Sequence, residues 1–329
     1  MRERVLNKCD LLIRNRAIVY EAFKGEMDYL LLAGAVILTI NNVEADSDKL
    51  KELRAWVRSN TELFSEFRGF NGISLVCKMA TKADPEKYFL KVKEIFKVLQ
   101  GKKFTGHEDR IIAATLIADY VGDGDYMEYI ERTESLYSKM EKNHYWLTNN
   151  ADIPYAAALA ISDRDIDQLI DDMERCYSGL KKKFGSGNAL QSLSHIMAIQ
   201  PEPADYKCSK VASLFDDLKA VKHSIGMSNE LPTLGALLTI NMSNQAIIDI
   251  ITEADDCLAQ GKNFGKFTMS DKTRIMFISQ LLLNEYVATA STEDKVLTNT
   301  LTALTTAIES YMLNAAISAA SASSAVIMN

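Results

Sequence analysis

The sequence predicts an all-α protein, organised as an array of about seven helical hairpins. Apolar residues recur every three or four positions in nearly every segment, which is the pattern of amphipathic helices. Strand-like alternation flanked by turn pairs is missing from the 329 residues. Related short apolar phrases return along the chain, as is typical of repeats that stack on their neighbours.

The first clear helical pattern lies in residues 46–67. Leu50, Val57 and Phe64 fall on one side of a helix drawn through this segment, spaced in steps of whole helical turns. Residues 84–99 show the same one-sided pattern, and the Asp–Pro pair that opens them is a typical helix start. Both segments are therefore predicted to be helices with one buried face.

Later segments follow the same rules. Residues 163–184 carry acidic side chains early and lysines late, as the dipole of a helix favours. Pro154 and Pro232 stand at the first turn of apolar runs, whereas no proline interrupts a helical pattern. About fifteen helices are expected in total, most of them about 12–20 residues long.

Internal repeats indicate how these helices are arranged. "GAVILTIN" (Gly34–Asn41) returns as "GALLTIN" (Gly235–Asn241), and "NADIPYAAALAIS" (Asn150–Ser162) aligns with "SNELPTLGALLTIN" (Ser228–Asn241). Each unit pairs a short apolar inner helix with a longer amphipathic outer helix. Two overall arrangements of the hairpins fit the sequence: an open α-α superhelix of the tetratricopeptide or HEAT kind, or a closed α/α ring. A compact, curved solenoid is favoured.

We expect residues 1–329 to form a single continuous helical-repeat domain. The tail, residues 314–329, is rich in Ala and Ser, so it either packs closely as a last helix or frays. The longest apolar run, Tyr29–Ile40, is too short for a bilayer, which needs about 20 residues. The start of the chain is charged and lacks the pattern of a secretory signal. A cytoplasmic protein without a membrane partner is therefore expected.

The overall charge disfavours nucleic acid as a partner. Formal net charge is −7, although residues 1–110 hold 20 Lys and Arg against 16 Asp and Glu. The excess of basic side chains in residues 1–110 is best explained by helix faces that are exposed to solvent. The five cysteines are scattered and form no CxxC pair, which indicates free thiols in a reducing compartment and no zinc site. Phosphate-binding and zinc-peptidase motifs are also missing, so no cofactor and no metal are expected.

Two polar clusters are the candidates for a functional site. His195 lies on an apolar helical face, where Gln191, one turn earlier, could accompany it. His144 is followed by Asn149 and Asp152, residues that usually cap a helix start. The structural interpretation, a satisfied core histidine and a cap, is favoured. The functional interpretation requires His144, Asp152 and His195 to meet across neighbouring hairpins. The full candidate ligand set is His144, Asn149, Asp152, Asn188, Gln191 and His195.

Two blocks of sequence resemble a known family. "LYSKMEKNHYWLTNNADIPYAAALA" (Leu136–Ala160) and "FGSGNALQSLSHIMAI" (Phe184–Ile199) are similar to a bacterial, all-helical family described only as a protein or domain of unknown function. The pattern departs at Glu141, where the family is expected to have Lys. The resemblance is expected to extend over most of the chain. It implies an all-helical fold and no particular activity.

The sequence therefore favours a non-enzymatic, cytoplasmic helical-repeat protein that binds a protein or peptide, because such arrays present long curved surfaces. The alternative is an enzyme, or a binder of a small ligand or metal, with a pocket near His144, Asp152 and His195. Clustering of these side chains in an open cavity would favour the alternative, and burial with mutual hydrogen bonds would favour the scaffold.

If His195 is a core histidine, its replacement must affect folding. We expect His195→Ala to lower the free energy of unfolding by about 1–3 kcal/mol, the usual cost of leaving buried polar partners unpaired. Chemical denaturation of both proteins measures this. An unchanged free energy of unfolding, together with loss of a bound ligand in native mass spectrometry, would instead support a ligand site.

Overall fold

The computed structural model describes residues 1–102, 104–144, 147–162, 164–290 and 294–327, with side chains described as far as 322. Within these residues the chain is all-helical, with fifteen α-helices and no strand. The predicted fold class is therefore confirmed. The helices are α1 (Arg2–Ala22), α2 (Asp28–Ile40), α3 (Ser47–Ser59), α4 (Gly72–Ala80), α5 (Pro85–Gln100), α6 (His107–Val121), α7 (Met127–Asn143), α8 (Ile153–Ala160), α9 (Ile166–Phe184), α10 (Asn188–Ala198), α11 (Ala204–Ala220), α12 (Pro232–Leu237), α13 (Asn244–Leu258), α14 (Asp271–Thr289) and α15 (Lys295–Ile327).

Helix starts follow the capping rules that the sequence suggested. Pro85 opens α5, and the Asp84 carboxylate accepts a hydrogen bond from the backbone N–H of Lys87 at 2.9 Å. Pro154 and Pro232 lie in the first turns of α8 and α12. These side chains satisfy or remove backbone donors that have no partner inside the helix, which determines where each helix begins.

One boundary was predicted wrongly. The one-sided pattern of residues 46–67 extends to Phe64, but α3 ends at Ser59 and the Phe64 side chain is 94% exposed. Leu50 and Val57 are buried as expected. Apolar spacing alone does not stop a helix, whereas here Asn60 closes α3 by donating its side-chain amide to the Trp56 carbonyl at 2.9 Å.

The described chain divides into two compact units. Unit 1 contains Met1–Asp10 and Met127–Ala307, and unit 2 contains Leu11–Tyr126 and the end of the chain from Ile308. The expectation of one continuous domain over residues 1–329 stays a prediction. α15 continues through the Ala/Ser-rich tail as far as Ile327, and residues 328–329 lie outside the described part.

In unit 2, apolar inner helices alternate with amphipathic outer ones. α2 and α4 are buried along nearly their whole length, whereas α3 and α5 each bury one face. α2 packs against α4, and α5 packs against α6. This is the hairpin arrangement that the repeated phrases predicted, because a helix that is apolar all round must be covered on every side.

Unit 1 repeats the arrangement with more helices. α8, α10 and α12 are the short apolar helices, and α7, α9, α11 and α13 are the longer amphipathic ones. α7 packs against α8, while α9 packs against both α10 and α11. α12 lies against α10 and α14, so the apolar helices form the core of the unit.

The phrase that occurs twice marks the same kind of contact in both units. A Cβ atom on Gly34 of α2 would lie 2.8 Å from the Cys77 sulfur of α4. A Cβ atom on Gly235 of α12 would lie 3.0 Å from a methyl group of Leu193 in α10. Each glycine therefore allows two apolar helices to approach closely, which explains why glycine stands in the helical phrase despite its low helix propensity.

Cationic side chains bind the free carbonyls at the ends of apolar helices. Lys49 of α3 donates to the Ala80 carbonyl at 3.1 Å, at the end of α4. Arg132 of α7 donates to the carbonyls of Ala160, Ser162 and Arg164 at 2.9–3.0 Å, at and just after the end of α8. Because the paired helices are antiparallel, the start of the outer helix lies beside the end of the inner one. The last carbonyls of a helix, which have no partner within it, are thereby satisfied.

None of the helices in the described part of the chain is both long enough and apolar enough to cross a membrane.

Arg132→Met tests the importance of these bonds. We expect it to lower the free energy of unfolding by about 2–3 kcal/mol, since it leaves buried carbonyls without a charged donor. Arg175→Met is the matched control, because Arg175 is exposed on α9 and pairs with the exposed Asp171 one turn away. Urea denaturation of both variants measures the change in the free energy of unfolding. Equal effects of the two substitutions would contradict the structural role of Arg132.

Candidate functional site

All six residues predicted for a site lie in unit 1. Asn149 and Asp152 belong to the turn before α8, and Asn188, Gln191 and His195 belong to α10. His144 follows the end of α7. The structure places Asn149, Asp152, Gln191 and His195 around the start of α8 and one face of α10, and His144 joins them through its contacts with α9.

Asn149 and Asp152 form a reciprocal cap. The Asn149 side-chain oxygen accepts the N–H of Ala151 at 3.0 Å, and the Asp152 carboxylate accepts the N–H of Asn149 at 2.9 Å. This is the hydrogen-bond pattern of a capping box, which stabilises a helix start. Asp152 is only 5% exposed, so its carboxylate is committed to the local backbone rather than directed at solvent.

His195 is a neutral core side chain. It is 2% exposed, and its ring lies 5.3 Å from the ring of Tyr155, centroid to centroid. Its Nδ1 is 4.0 Å from an Asp152 oxygen, which is beyond hydrogen-bond length. Burial, followed by the electrostatic interaction with His144, lowers the pKa of His195 to about 3. The contact with Asp152 is therefore not an ion pair at neutral pH, and a proton-transfer role there is disfavoured.

Gln191 forms a hydrogen bond with Thr148 and not with His195, the partner that the sequence suggested. Its side-chain amide donates to the Thr148 hydroxyl at 3.3 Å, across to the segment that leads into α8. Gln191 is 2% exposed, like His195. The two therefore share a buried helical face, as predicted, and Gln191 ties α10 to the cap of α8.

His144 has a partner that sequence analysis missed. Its Nε2 lies 2.8 Å from a carboxylate oxygen of Glu174 in α9, and its ring lies 4.9 Å from that of Tyr177. The Tyr177 hydroxyl accepts the N–H of Gly187 at 3.2 Å, just before α10. Glu174 and Tyr177 are three residues apart and so share a face of α9, but nothing in the sequence showed that this face meets His144.

Asn188 opens α10, and its side chain is exposed to solvent there. Across the described residues, no group of three or more His, Cys, Asp or Glu side chains is placed to hold a metal ion. What the cluster does do is join α7, α8, α9 and α10 through hydrogen bonds and ring contacts.

A solvent-accessible cleft lies elsewhere in unit 1, with a volume of about 370 Å³. It is bounded by the ends of α10 and α12, one side of α11 and the starts of α13 and α15. Its floor consists of buried aliphatic side chains: Leu214, Leu237, Ile240, Ile247 and Leu297. Its rim consists of exposed polar or aromatic side chains: Glu202, Tyr206, Lys210, Asn241 and Asp294.

The charges in the cleft are largely satisfied by the protein itself. Lys207 is 1% exposed, and its ammonium donates to the carbonyls of Met197 and Gln200 at 3.0 and 2.9 Å. It also pairs with Asp172 at 3.3 Å. Asp294 accepts the N–H groups of the first turn of α15. The cleft therefore combines an apolar floor with polar groups at the edge, rather than a concentrated charge.

Unit 2 has a more open depression of about 710 Å³. Its charged side chains are paired with one another, with Lys82 2.6 Å from Asp119 and Lys87 2.8 Å from Asp123. A ligand at this surface would have to break existing ion pairs. The cleft of unit 1 is therefore the better candidate for a binding site.

The described residues form an all-α helical array with a cleft in unit 1. Residues 17–310 match the family described as "Protein of unknown function (DUF4003)", and the chain belongs to this family. It is similar to "Uncharacterized protein YeaA" of Bacillus subtilis (strain 168), with 21% identity over 184 residues. That match covers 55% of this chain and 56% of YeaA, so it spans only about half the length of that relative. No solved structure matches. The resemblance seen in the sequence, to a family of unknown function, is confirmed.

The histidine environment predicts a pH dependence. The pKa of His195 is lower in the folded protein than its ordinary value of 6.5. Below pH 6.5 the unfolded chain binds a proton that the folded protein does not, so stability is lost as the pH falls. Between pH 7 and pH 5.5 this loss amounts to about 1 kcal/mol.

We expect His195→Gln to remove this contribution, so that the variant loses less stability than the wild type over the same range. His107→Gln is the control, because His107 is an exposed histidine of unit 2 and should retain the wild-type slope. Urea denaturation at several pH values measures the slopes. Parallel slopes for wild type and His195→Gln would show that His195 is not a buried neutral group.

Proposed function

We propose that this protein is a cytoplasmic, non-enzymatic helical-repeat scaffold that binds a peptide segment of a protein partner in the cleft of unit 1. The observation that carries this proposal is the composition of that cleft: buried aliphatic side chains line its base, and amide, aromatic and charged side chains surround it. Peptide recognition commonly uses such a groove, in which apolar side chains are buried and the main chain is bound at the edge.

The volume of the cleft suits a few side chains rather than a whole folded domain. About 370 Å³ lies at the lower end of the range of pockets that take small ligands or peptide anchors. An extended segment with one or two aliphatic or aromatic anchors would place them on Leu237 and Ile247. This burial supplies the main favourable free energy of binding.

The rim offers partners for a peptide main chain. Asn241 is exposed and its side-chain amide carries both a donor and an acceptor, which match the N–H and C=O groups of an extended strand. Tyr206 is 54% exposed on α11, with the ammonium of Lys210 5.7 Å from its ring centre. An exposed tyrosine held at the edge of an apolar groove is a typical binding hot spot.

The contacts that Lys207 makes within the protein favour a peptide, rather than a free anion, as the ligand of the cleft. Because its ammonium already binds two carbonyls and Asp172, it provides little charge to a phosphate or carboxylate ligand. The alternative function, an enzyme or small-ligand site near His144, Asp152 and His195, finds less support. Asp152 and His195 are almost completely buried, and Asp152 caps a helix.

A phage-displayed library of random peptides tests the proposal. Peptides selected on the purified protein are resynthesised, and their affinities are measured by calorimetry. We expect Tyr206→Ala to weaken them at least about 30-fold, as loss of a hot-spot aromatic does. A negative heat-capacity change on binding is also expected, since apolar surface becomes buried.

The control is Tyr20→Ala, which removes a similarly exposed tyrosine (48%) from α1 in unit 2 and should leave binding unchanged. The proposal would be wrong if the library yields no binder. Equal affinity of the selected peptides for the wild type and Tyr206→Ala would also exclude the cleft as their site.

A further inference from the structure

Two charged side chains of the cleft in unit 1 are not neutralised by the protein. In the described part of the chain, four charged residues line the cleft: Glu202, Lys207, Lys210 and Asp294. The Lys207 ammonium is bonded to carbonyls and to Asp172, and Asp294 accepts the N–H groups that open α15. Glu202 and Lys210 are exposed and form no ion pair with another described residue. The cleft therefore presents one carboxylate and one ammonium to a ligand.

These two charges lie at different points along α11. Tyr206, Lys210 and Leu214 follow one another at intervals of four residues, so they share one side of the helix, and all three line the cleft. Glu202 precedes the first turn of α11, on the other side of Tyr206 along the chain. The exposed ring of Tyr206 therefore lies between a negative and a positive side chain.

We propose that Glu202 and Lys210 fix the register of the bound peptide, so that the partner segment has an apolar anchor with an acidic side chain on one side and a basic side chain on the other. This inference rests on the proposed function of the cleft and specifies the chemistry of its ligand. The acidic side chain pairs with Lys210, and the basic one pairs with Glu202. Complementary charges at the edge of an interface set register and partner choice more than they add affinity.

The spacing of residues on α11 predicts where the acidic residue lies in the segment. Each residue of an α-helix advances about 1.5 Å along the axis, so Tyr206 and Lys210 are separated by about 6 Å. An extended peptide advances about 3.3 Å per residue, and its side chains point to the same face at every second position. The acidic residue is therefore expected about two positions from the residue that packs on Tyr206.

The position of Lys210 suits this role. Its ammonium lies 5.7 Å from the centre of the Tyr206 ring, which is within the range of a cation–π contact. An ammonium has three donors, so this contact leaves donors for a carboxylate of the ligand. Further along the same helix, Asp216 pairs with Lys183 of α9 at 2.7 Å. Asp216 thus contributes to the packing of neighbouring helices, whereas Lys210 is available to a ligand.

Peptides selected from the random library on the wild-type protein provide the first test. Only peptides whose binding is weakened by Tyr206→Ala are aligned. We expect them to share an apolar residue, an acidic residue about two positions away and a basic residue on the other side. Tyr206-dependent peptides without this charge pattern would overturn the inference and leave the proposed function intact. A library that yields no binder would refute both.

An exchange of charges tests the contact with Lys210. Lys210→Glu should weaken a selected peptide at least about 5-fold, because an attraction between exposed charges becomes a repulsion. The same peptide with its acidic residue replaced by lysine should bind Lys210→Glu more tightly than it binds the wild type. Calorimetry measures all four affinities, and their differences should decrease as the salt concentration rises. Glu202→Lys, with the basic residue of the peptide replaced by glutamate, provides the reciprocal exchange.

Lys219→Glu is the matched control. Lys219 is an exposed lysine of the same helix and lies outside the residues that line the cleft, so its replacement changes the net charge equally. Selected peptides should bind this variant as they bind the wild type. The inference is wrong if Lys219→Glu and Lys210→Glu weaken binding equally, or if the exchanged peptide does not prefer Lys210→Glu. The charge pattern of the selected peptides is read from the wild type, so it remains a test even if a variant fails to fold.

Discussion

The arrangement of both units depends on satisfying the ends of apolar helices inside the protein. α8 and α12 are only 8 and 6 residues long, and a helix of this length leaves most of its carbonyls without an internal partner. Buried carbonyls without donors are costly. Arg132 and Lys207 supply the donors from neighbouring amphipathic helices, and Gln200 donates to the Gly235 carbonyl at 2.7 Å within α12. Short apolar helices are stable here because outer helices provide hydrogen bonds as well as apolar cover.

The same constraint shapes the cleft. α10 and α12 both end at the cleft, and the Lys207 ammonium donates hydrogen bonds to carbonyls at and just after the end of α10. Because the Lys207 ammonium is hydrogen-bonded within the protein, the remaining surface of the cleft consists of an aliphatic floor with a polar edge. A groove of that kind recognises shape and apolar side chains more than charge. Under the proposed function, the structural role of Lys207 would limit which ligands the cleft can take.

The cluster around His195 contains residue types that are also found in catalytic sites. Histidine, carboxylate and amide side chains do come together there, but Asp152 caps α8, Gln191 binds Thr148 and His195 stays neutral against Tyr155. Asp152 and the Gln191 amide group make hydrogen bonds, whereas His195 Nδ1 and Gln191 Oε1 are buried without a hydrogen-bond partner among the described residues. Several helices meet at this point, so the polar contacts specify which helix faces pair, a role that buried hydrogen bonds can have.

The helices, their capping residues and the alternation of apolar and amphipathic segments could be predicted from the sequence, because they depend on neighbours within a few residues. Asp84, Pro85 and Gly235 act at that range, and the burial of His195 followed from its apolar helical face. The partners of His144 and the cleft itself could not be predicted. Each depends on which faces of separate helices pack together and at what distance. Only tertiary packing decides those distances, since the same amphipathic pattern is compatible with many helix pairings.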